Sequence, residues 1–452
     1  MELFGSSGVR GVVGSELTPE LVGQVAAAAG VTVDADTVAV ARDTRTTGTM
    51  FVNAASAALA GVGVDVRRLG IVPTPGVQAY AEANGVPVVL VTASHNPPEY
   101  NGVKLVGADG VEFTRDGLEA VEARVSDTPL VGFDAVGDVT AVDGVRRQYR
   151  EQLIEAVDRE AIASADLTVA VDPGHGAGCL TSPATFRELG CAVRTVNDDP
   201  DGRFPGRDPE PVPANLGHLR RLVATTDADV GIAHDGDADR AVFVDETGRD
   251  IPAETSFAAL AAAELTPGDT LVSAVNVSQR VVDVVEAADA TLELTPIGST
   301  HLITRMQSLL DDGATVPIAG EGNGGIFFPP YRIARDGAYI AARFLELLTD
   351  RTASSLAAEY AGYETVRVNL SYDDEREREA MLDAAASVAE TTTADVITID
   401  GYRLDYGDGW VLVRPSGTEP LVRLYAEART EDRAETLLST LREPIEDAAA
   451  DA

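Results

Sequence analysis

The sequence predicts an α/β protein of several domains that ends in a smaller α+β domain. The chain has 452 residues, enough for roughly three or four domains of ~100–150 residues each. Apolar, β-branched runs alternate with helical patterns as far as residue 348, which predicts mixed or parallel sheets covered by helices. From about residue 363 the order changes to short strands between two charged helices, the α+β pattern.

The first predicted domain spans residues 1–142. It opens with FGSSGVRG (4–11), a glycine- and serine-rich loop that carries one cation, Arg10. Its predicted elements are strand 37–41, helix 50–60, strand 64–72, helix 76–84 and strand 86–91. This alternation predicts a sheet with helices packed on its faces.

A polar stretch, VTASHNPPEYNGVK (91–104), follows the last of these strands. A Pro-Pro pair stiffens it, and the dipeptide Asn101-Gly102 predicts a turn. Because α/β proteins place reacting groups on loops at the carboxyl ends of strands, Ser94 is a candidate reacting group. An ordinary polar connection is the alternative that this stretch alone leaves open.

The remaining predicted domains are 143–250, 251–360 and 361–452. The second has helix 144–157, strand 167–171, helix 179–189, strand 192–196, helix 215–225, strand 230–234 and strand 241–245. The third has helix 256–265, strand 270–274, helix 280–287, strand 291–295, a helix from 300, strand 316–319 and helix 334–348. The fourth has strand 365–370, helix 375–390, strands 411–413 and 422–426, and a helix from about 431. The first three share a strand–helix rhythm that suggests structural repeats, without a clear sequence repeat.

The charge of the chain argues against several classes of partner. It has 73 acidic and 35 basic residues, a formal net charge of −38, so neither nucleic acid nor an anionic membrane is an expected partner. Lys104 is the only lysine, and the other 34 basic residues are arginines. Such a carboxylate-rich, lysine-poor surface suggests a halophilic protein, because concentrated salt screens self-repulsion. An acidic protein working at ordinary salt is the alternative.

The cysteines and the apolar runs indicate the cellular compartment in which we expect the protein. Cys179 and Cys191 are too few for a disulfide framework, so we expect a reducing cytoplasm. No apolar run is long enough to span a bilayer, and the opening residues lack the features of a secretory signal.

DGDADR provides the most specific metal signal. Asp235, Asp237 and Asp239 alternate with small residues directly after a predicted buried strand. This spacing lets three carboxylates converge on one hard cation, and oxygen ligands suit Mg²⁺. An acidic turn without a metal is the alternative.

RPSGTEP has the composition of a phosphate-binding loop. Arg414 offers a bidentate fork, Ser416 and Thr418 offer hydroxyls, and Gly417 lets backbone N–H groups approach an anion. Arg423 adds a further charge nearby. An ordinary strand-to-turn connection is the alternative.

A third loop, GEGNGG, places Glu321 and Asn323 among glycines. These side chains suit sugar hydroxyls, although a plain turn explains the loop equally when it is taken alone. Four arginines lie in short loops near strand ends: Arg10, Arg42, Arg45 and Arg240. In so acidic a chain we expect each to be a salt-bridge partner unless it lies beside Ser94.

Taken together, TASHNPPEYNGVK, DGDADR, GEGNGG and RPSGTEP resemble, in order and rough spacing, the α-D-phosphohexomutase superfamily. Its members include phosphoglucomutase/phosphomannomutase, phosphoglucosamine mutase and archaeal phosphopentomutase. The resemblance covers essentially the whole chain. It implies a heart-shaped molecule of four domains, three with a mixed α/β core and a smaller fourth, around a central active cleft.

The resemblance also implies roles for the residues of the four motifs. Ser94 would carry the phosphoryl group in the resting enzyme, and Glu321 and Asn323 would bind the sugar. One Mg²⁺ per active site would be held by a phosphoserine oxygen and by Asp235, Asp237 and Asp239. The implied contacts to the non-reacting phosphate are Arg414, Ser416, Gly417, Thr418 and Arg423. The implied basic residues around the phosphoserine are Arg10, Lys104 and Arg240.

Two positions depart from the pattern of relatives. Gly325 stands where many bacterial phosphomannomutases/phosphoglucomutases have a histidine, and Ser7 stands where relatives often have an acidic or amide residue. The missing histidine leaves Lys104 and His95 as candidates for acid–base catalysis.

The activity implied is a phosphohexomutase that moves a phosphoryl group between the 6- and 1-positions through phosphoserine and a bound sugar bisphosphate. The opening loop and the modest length favour phosphoglucosamine mutase, ahead of phosphomannomutase/phosphoglucomutase and then phosphopentomutase. A phosphatase using the same serine and Mg²⁺ is disfavoured by the second phosphate loop. A non-catalytic phosphosugar-binding protein is disfavoured because Ser94 and the three aspartates are all present. The expected partner is a small phosphosugar, and the chain is either a monomer or a homodimer.

Overall fold

The computed structural model describes residues 3–5, 8–416 and 420–452. Within these residues four β-sheets follow one another along the chain, three of mixed strand direction and a last one that is wholly antiparallel. This confirms the predicted α/β fold with a smaller α+β domain at the C-terminus. The predicted boundary at 250 falls inside a short strand, Asp250–Ile251, and the domain boundaries stay predictions.

The first unit has a six-stranded sheet covered by helices. Its strands are β1 (Val9–Val12), β2 (Thr37–Arg42), β3 (Asp65–Ile71), β4 (Val88–Val91), β5 (Tyr100–Val106) and β6 (Val139–Ala141). Its helices are α1 (Pro19–Val33), α2 (Gly48–Gly61), α3 (Thr74–Asn84) and α4 (Arg115–Glu122). All four residues of β4, VVLV, are buried, as the β-branched run at the centre of a covered sheet requires.

The second and third units each contain a five-stranded sheet. The second comprises α5 (Val145–Glu155), α6 (Arg159–Ser164), β7 (Thr168–Asp172), α7 (Ser182–Glu188), β8 (Ala192–Thr195), α8 (Gly217–Ala224), β9 (Val230–Ala233), β10 (Val242–Asp245) and β11 (Asp250–Ile251). The third comprises α9 (Ala253–Glu264), β12 (Thr270–Ala274), α10 (Gln279–Ala287), β13 (Thr291–Thr295), α11 (Ser299–Asp311), β14 (Ala319–Gly320), β15 (Ile326–Phe328), β16 (Arg332–Arg335), α12 (Gly337–Glu346) and α13 (Ala353–Glu359).

The three mixed sheets share one topology. Their strand orders are β1-β5-β4-β2-β3-β6, β11-β10-β9-β7-β8 and β13-β12-β14-β15-β16. In each sheet three strands run parallel, and the one that comes first in the chain lies between the other two. The strand that follows these three in the sequence pairs antiparallel with the last of them. The loops β4–β5, β9–β10 and β14–β15 are therefore equivalent. They carry, respectively, Ser94, the three aspartates and Glu321.

The fourth unit is an antiparallel sheet with two long helices. Its elements are β17 (Glu364–Ser371), α14 (Glu375–Thr391), β18 (Asp395–Ile397), β19 (Tyr402–Asp405), β20 (Gly409–Pro415), β21 (Leu421–Ala428) and α15 (Glu431–Asp451). The strand order is β17-β21-β20-β19-β18. Arg414 and Pro415, the first residues of RPSGTEP, end β20, and Pro420 directly precedes β21.

The hydrophobic cores show how tightly the units are joined. The largest cluster combines the second and third units, for example by stacking Phe243 on Phe344 with ring centroids 4.0 Å apart. The fourth unit has a core of its own. A small cluster, Val275, Trp410 and Leu412, joins it to the third. The fourth unit therefore shares much less apolar surface with its neighbour than the second does with the third.

The turn predicted at Asn101-Gly102 is wrong, because both residues lie inside β5. A Cβ on Gly102 would lie 2.5 Å from the Val9 carbonyl oxygen and 2.7 Å from that of Thr92. The glycine is needed for close strand packing between β1 and β4, not for a turn.

Other elements also differ from prediction. Helix α1 was missed because its buried, alanine-rich sequence has no clear polar face. The helix predicted at 334–348 begins at Gly337, since residues 332–335 form β16 and Asp336 caps the helix by accepting from Tyr339 N. The predicted helix 179–189 is divided into a 3₁₀ turn and α7. The predicted strand 316–319 is reduced to β14.

Candidate active site

Ser94 sits on a loop whose backbone is fixed from several sides. Its φ of 49° is left-handed, a conformation that a residue with a side chain adopts only when its surroundings impose it. Ser94 N donates to Thr92 Oγ1 at 2.9 Å, and Arg45 Nη2 donates to the Ser94 carbonyl at 2.8 Å. Arg45 is itself paired with buried Asp43 at 3.1 Å. Arg45 is thus both a salt-bridge partner and a neighbour of Ser94.

The Ser94 hydroxyl contacts the acidic loop directly. Its Oγ donates to Asp235 Oδ2 at 2.7 Å, and the side chain is almost wholly buried. A Cβ at Gly236 would lie 2.6 Å from the Ser94 carbonyl oxygen. Glycine at that position therefore permits the two loops to approach.

The three aspartates form a buried cluster in which their ligand atoms all lie within 4.8 Å of one another. Asp237 Oδ2 accepts from Thr74 Oγ1, and Asp239 Oδ2 accepts from Arg335 Nη2, both at 2.6 Å. The Oδ1 atoms of Asp237 and Asp239 are buried and have no hydrogen-bond partner among the described residues. In Asp237 and Asp239 one carboxylate oxygen is held while the other stays available, which fits a site for a hard cation.

The electrostatics of the cluster favour the same chemistry. Burial, with the carboxylates of Asp239 and Asp237, raises the pKa of Asp235 well above its usual value. Burial acts on Asp237 in the same direction, but Lys104 and the Thr74 hydroxyl outweigh it and lower its pKa. Three carboxylates so close together compete for positive charge, and a divalent cation would relieve that competition.

Lys104 lies on β5 and points into this cluster. Its ammonium nitrogen is 3.2 Å from Asp239 Oδ2, 3.3 Å from Asp237 Oδ2 and 3.6 Å from Glu112 Oε1. Burial alone would lower the pKa of Lys104, but Asp237, Glu112 and Asp239 together raise it. The lysine is therefore a protonated, enclosed point charge held by two elements distant in sequence.

The remaining basic candidates surround the Ser94 loop. Arg240 Nη2 donates to His95 Nδ1 at 3.0 Å, so Nδ1 must carry a lone pair, because a guanidinium cannot accept. Burial, with Arg240 and Arg10, lowers the pKa of His95 and keeps the imidazole neutral. Arg10 Nη1 donates to Asn96 Oδ1 at 2.9 Å. Of the two acid–base candidates, His95 lies beside the serine, with Nδ1 3.3 Å from Ser94 Oγ, whereas Lys104 contacts the aspartates.

The sugar-loop residues Glu321 and Asn323 hold each other and the neighbouring backbone. Glu321 Oε1 accepts from Gly298 N at 2.7 Å, and Asn323 Nδ2 donates to Glu321 Oε2 at 3.2 Å. A Cβ on Gly325 would lie 2.7 Å from Arg335 Cδ. The space that a histidine side chain would need is therefore filled by Arg335.

Of the residues predicted to bind phosphate, the structure describes Arg414 in β20, Ser416 directly after it and Arg423 in β21. Arg414 and Arg423 are directly paired across the two strands. Arg414 Nε is 2.9 Å from Asp400 Oδ2, and Ser416 N donates to the Leu421 carbonyl at 2.8 Å. Three residues singled out in the sequence lie outside the described residues: Ser7, Gly417 and Thr418.

All four units contribute residues to one cleft. A cavity of about 620 Å³ is lined by His95 from the first unit, Arg240 from the second, Glu321 and Asn323 from the third, and Arg423 from the fourth. Residues that are far apart in the chain therefore face a common space large enough for a small phosphorylated ligand.

Comparison with known proteins identifies the family. Family models described as phosphoglucomutase/phosphomannomutase, α/β/α domains I, II and III, match residues 1–130, 147–248 and 254–364. The model of the C-terminal domain of the same family matches residues 368–443. The phosphoglucomutase/phosphomannomutase of Thermococcus kodakarensis is 38% identical over 449 residues, which cover 97% of each chain. The chain belongs to the phosphoglucomutase/phosphomannomutase family. It is a phosphohexomutase, an enzyme of the isomerase class.

Other relatives of this phosphohexomutase cover it equally well. The probable phosphoglucosamine mutase of Methanopyrus kandleri is 38% identical, over 96% of this chain and 95% of its own. A phosphoglucomutase/phosphomannomutase family protein of Burkholderia thailandensis superposes with a TM-score of 0.87 at 29% identity, covering 99% and 97% of the two chains.

Two further observations concern membrane-spanning helices and disulfides, the features on which the expected cellular compartment was based. Among the described residues, no helix of this phosphohexomutase has the length and apolarity needed to cross a bilayer. Both cysteines are free thiols in the structure.

Sequence reasoning missed several residues that hold the site together: Asp43, Thr74, Glu112, Arg335 and Asp400. None of them lies in one of the four motifs, so no local pattern marked them.

Proposed function

We propose that this phosphohexomutase is a phosphoglucosamine mutase, which converts glucosamine-6-phosphate to glucosamine-1-phosphate with Ser94 as the phosphoryl carrier. The observation that carries the proposal is the Ser94 hydroxyl, held 2.7 Å from an acidic cluster that keeps two buried carboxylate oxygens unpartnered. The choice of substrate is supported by relatives named probable phosphoglucosamine mutase, among them those of Methanopyrus kandleri and Methanothermobacter thermautotrophicus.

In this mechanism phosphoserine donates its phosphoryl group to one hydroxyl of the sugar phosphate. The resulting sugar bisphosphate, which also serves as activator, turns over in the cleft, and its other phosphate returns to Ser94. The aspartates Asp235, Asp237 and Asp239, with a phosphoserine oxygen, would hold one Mg²⁺, which supplies charge neutralisation when bound.

The basic residues supply the rest of the electrostatic stabilisation. Arg10 and Arg240 flank the serine loop, where their charges face a phosphoryl group on Ser94. Lys104 contributes a compact charge from behind the aspartates. Neutral His95, with Nδ1 3.3 Å from Ser94 Oγ, accepts from Arg240 and so orients that guanidinium beside the transferring oxygen.

Substrate binding is divided between the third and fourth units. Glu321 and Asn323 would bind the sugar hydroxyls from one wall of the cleft. The residues proposed to grip the non-reacting phosphate are Arg414, Ser416, Gly417, Thr418 and Arg423. Because the bisphosphate must present either end to Ser94, this grip has to accept two orientations of the sugar.

The test is to assay glucosamine-6-phosphate, mannose-6-phosphate, glucose-6-phosphate and ribose-5-phosphate side by side, with Mg²⁺ and the matching bisphosphate. We expect the highest kcat/KM with glucosamine-6-phosphate. A clear preference for mannose- or glucose-6-phosphate would favour the second candidate, phosphomannomutase/phosphoglucomutase, which the Thermococcus kodakarensis relative supports at equal identity. Release of inorganic phosphate without isomerisation would instead indicate a phosphatase.

A further inference from the structure

A short loop after β13 connects the sugar-binding and phosphate-binding parts of the cleft. Its two successive backbone N–H groups bind two different carboxylates. Ile297 N donates to Asp400 Oδ2 at 3.1 Å, and Gly298 N donates to Glu321 Oε1 at 2.7 Å. Asp400 belongs to the fourth unit, whereas Glu321 belongs to the third.

The same oxygen of Asp400 lies against the phosphate-loop arginine. Asp400 Oδ2 is 2.9 Å from Arg414 Nε, and the two side chains are mostly buried, with about 16% and 14% of their surface exposed. The contact is an ion pair and not a directed hydrogen bond, because Nε has no hydrogen-bond partner among the described residues. The carboxylate therefore holds the charged end of the arginine in place electrostatically.

The backbone beside Asp400 is shaped for this contact. Gly401 has a left-handed φ of +79°, and a Cβ there would lie 2.0 Å from the Val413 carbonyl and 2.9 Å from Arg414 Cα. Only glycine lets the loop before β19 lie so close to β20. Ile297 completes the arrangement, because it packs against the cluster of Val275, Trp410 and Leu412 that joins the two units.

We propose that Asp400 is a positioning residue for the mutase reaction. It orients Arg414 and, through the Ile297–Gly298 loop, fixes the distance between that arginine and Glu321. Arg414 is proposed to bind the non-reacting phosphate and Glu321 the sugar hydroxyls, so we expect this arrangement to set the spacing between those two binding groups. The inference rests on the proposed function of Arg414 and Glu321, and no sequence motif marks Asp400.

The test compares Asp400→Asn with the wild type in steady-state kinetics and in calorimetric binding of glucosamine-6-phosphate. The amide preserves shape but loses the charge that orients Arg414. We expect KM and Kd to rise about 10-fold, the loss of one charge-assisted contact, while kcat and the thermal midpoint stay close to wild type. Asp400→Glu should restore part of the affinity.

Two further variants separate positioning from general destabilisation. In an Arg414→Ala background, Asp400→Asn should have little additional effect, because the group that it positions is gone. Asp408→Asn is the matched control, since Asp408 pairs with Arg433 at 2.9 Å on the exposed surface of the same unit and should change nothing.

Unchanged KM and Kd in Asp400→Asn, or the same loss with and without Arg414, would overturn the inference. Failure of the proposed function has a different signature, namely a wild-type enzyme that isomerises none of the four phosphosugars. In that case the Kd comparison still decides whether Asp400 supports anion binding by Arg414.

Discussion

The Ser94 centre and the Arg414 loop are both built from paired charges, but they are built differently. At Ser94, the charges are buried and come from three units: Asp237 and Asp239 of the second contact Lys104 from the first and Arg335 from the third. At Arg414, described contacts rest on a single partly exposed carboxylate, Asp400.

The cores follow the same division. The second and third units share one large apolar cluster, whereas the fourth has its own core and a small joint with the third. We therefore expect the Ser94 centre, where buried charges from three units interlock, to be the more rigid region, and the unit that carries Arg414 to move relative to the others. Substitutions in the two regions should therefore affect different kinetic constants.

The largest effect is expected for Ser94→Ala. Removing the proposed phosphoryl carrier should abolish nearly all turnover while substrate affinity and folding remain, because the loop is held by backbone contacts. Isomerisation assays with direct binding measurements check this, and Ser387→Ala on exposed helix α14 is the control. Substantial activity in Ser94→Ala would remove the serine from the mechanism.

Lys104→Arg tests whether the buried charge at the same centre must be a compact ammonium. The enclosure around Lys104 fits a compact ammonium that contacts three carboxylates, and a planar guanidinium cannot reproduce this geometry. We expect a loss of at least ~10²-fold in kcat, the lower end for removing one preorganised electrostatic contact, with the fold retained. Near wild-type turnover would show that the only lysine is an accident of composition.

Arg414→Ala tests the proposed binding of the non-reacting phosphate and should change KM rather than kcat. Loss of a charge-assisted contact of roughly 1.5–3 kcal/mol should raise KM for every phosphosugar alike, without changing the dependence on Mg²⁺. Arg433→Ala, on the exposed surface of the same unit, provides the control. If KM is unchanged, Arg414 does not contact the substrate.

The smallest and most general effect concerns salt. At a net charge of −38, repulsion between exposed carboxylates should be screened by added cations, so the thermal midpoint should rise with KCl concentration. The buried Ser94 centre is shielded from such screening, and kcat per folded molecule should change less than the midpoint. A midpoint independent of KCl would exclude the halophilic interpretation and leave the mutase assignment intact.

The parts of the site that could be predicted are those that lie in one continuous stretch. Asp235, Asp237 and Asp239 were recognisable because their spacing is itself the signal, and the strand before Ser94 ended as its composition indicated. Arg335 and Asp400 could not be recognised in the sequence, because each contacts a residue of another unit: Arg335 contacts Asp239, and Asp400 accepts from Ile297 N. The glycines near them carried a signal that can be understood only with the structure: Gly325 makes room for Arg335, and Gly401 lets Asp400 reach Arg414.

The central claim is that Ser94 carries the phosphoryl group. Mass spectrometry of the purified enzyme, as intact protein and as peptides, tests it before and after incubation with a hexose 1,6-bisphosphate. We predict one phosphate, located on Ser94, and its loss on incubation with excess glucosamine-6-phosphate as the bisphosphate is released. An active preparation that carries no phosphate on Ser94, even after treatment with the bisphosphate, would contradict the account.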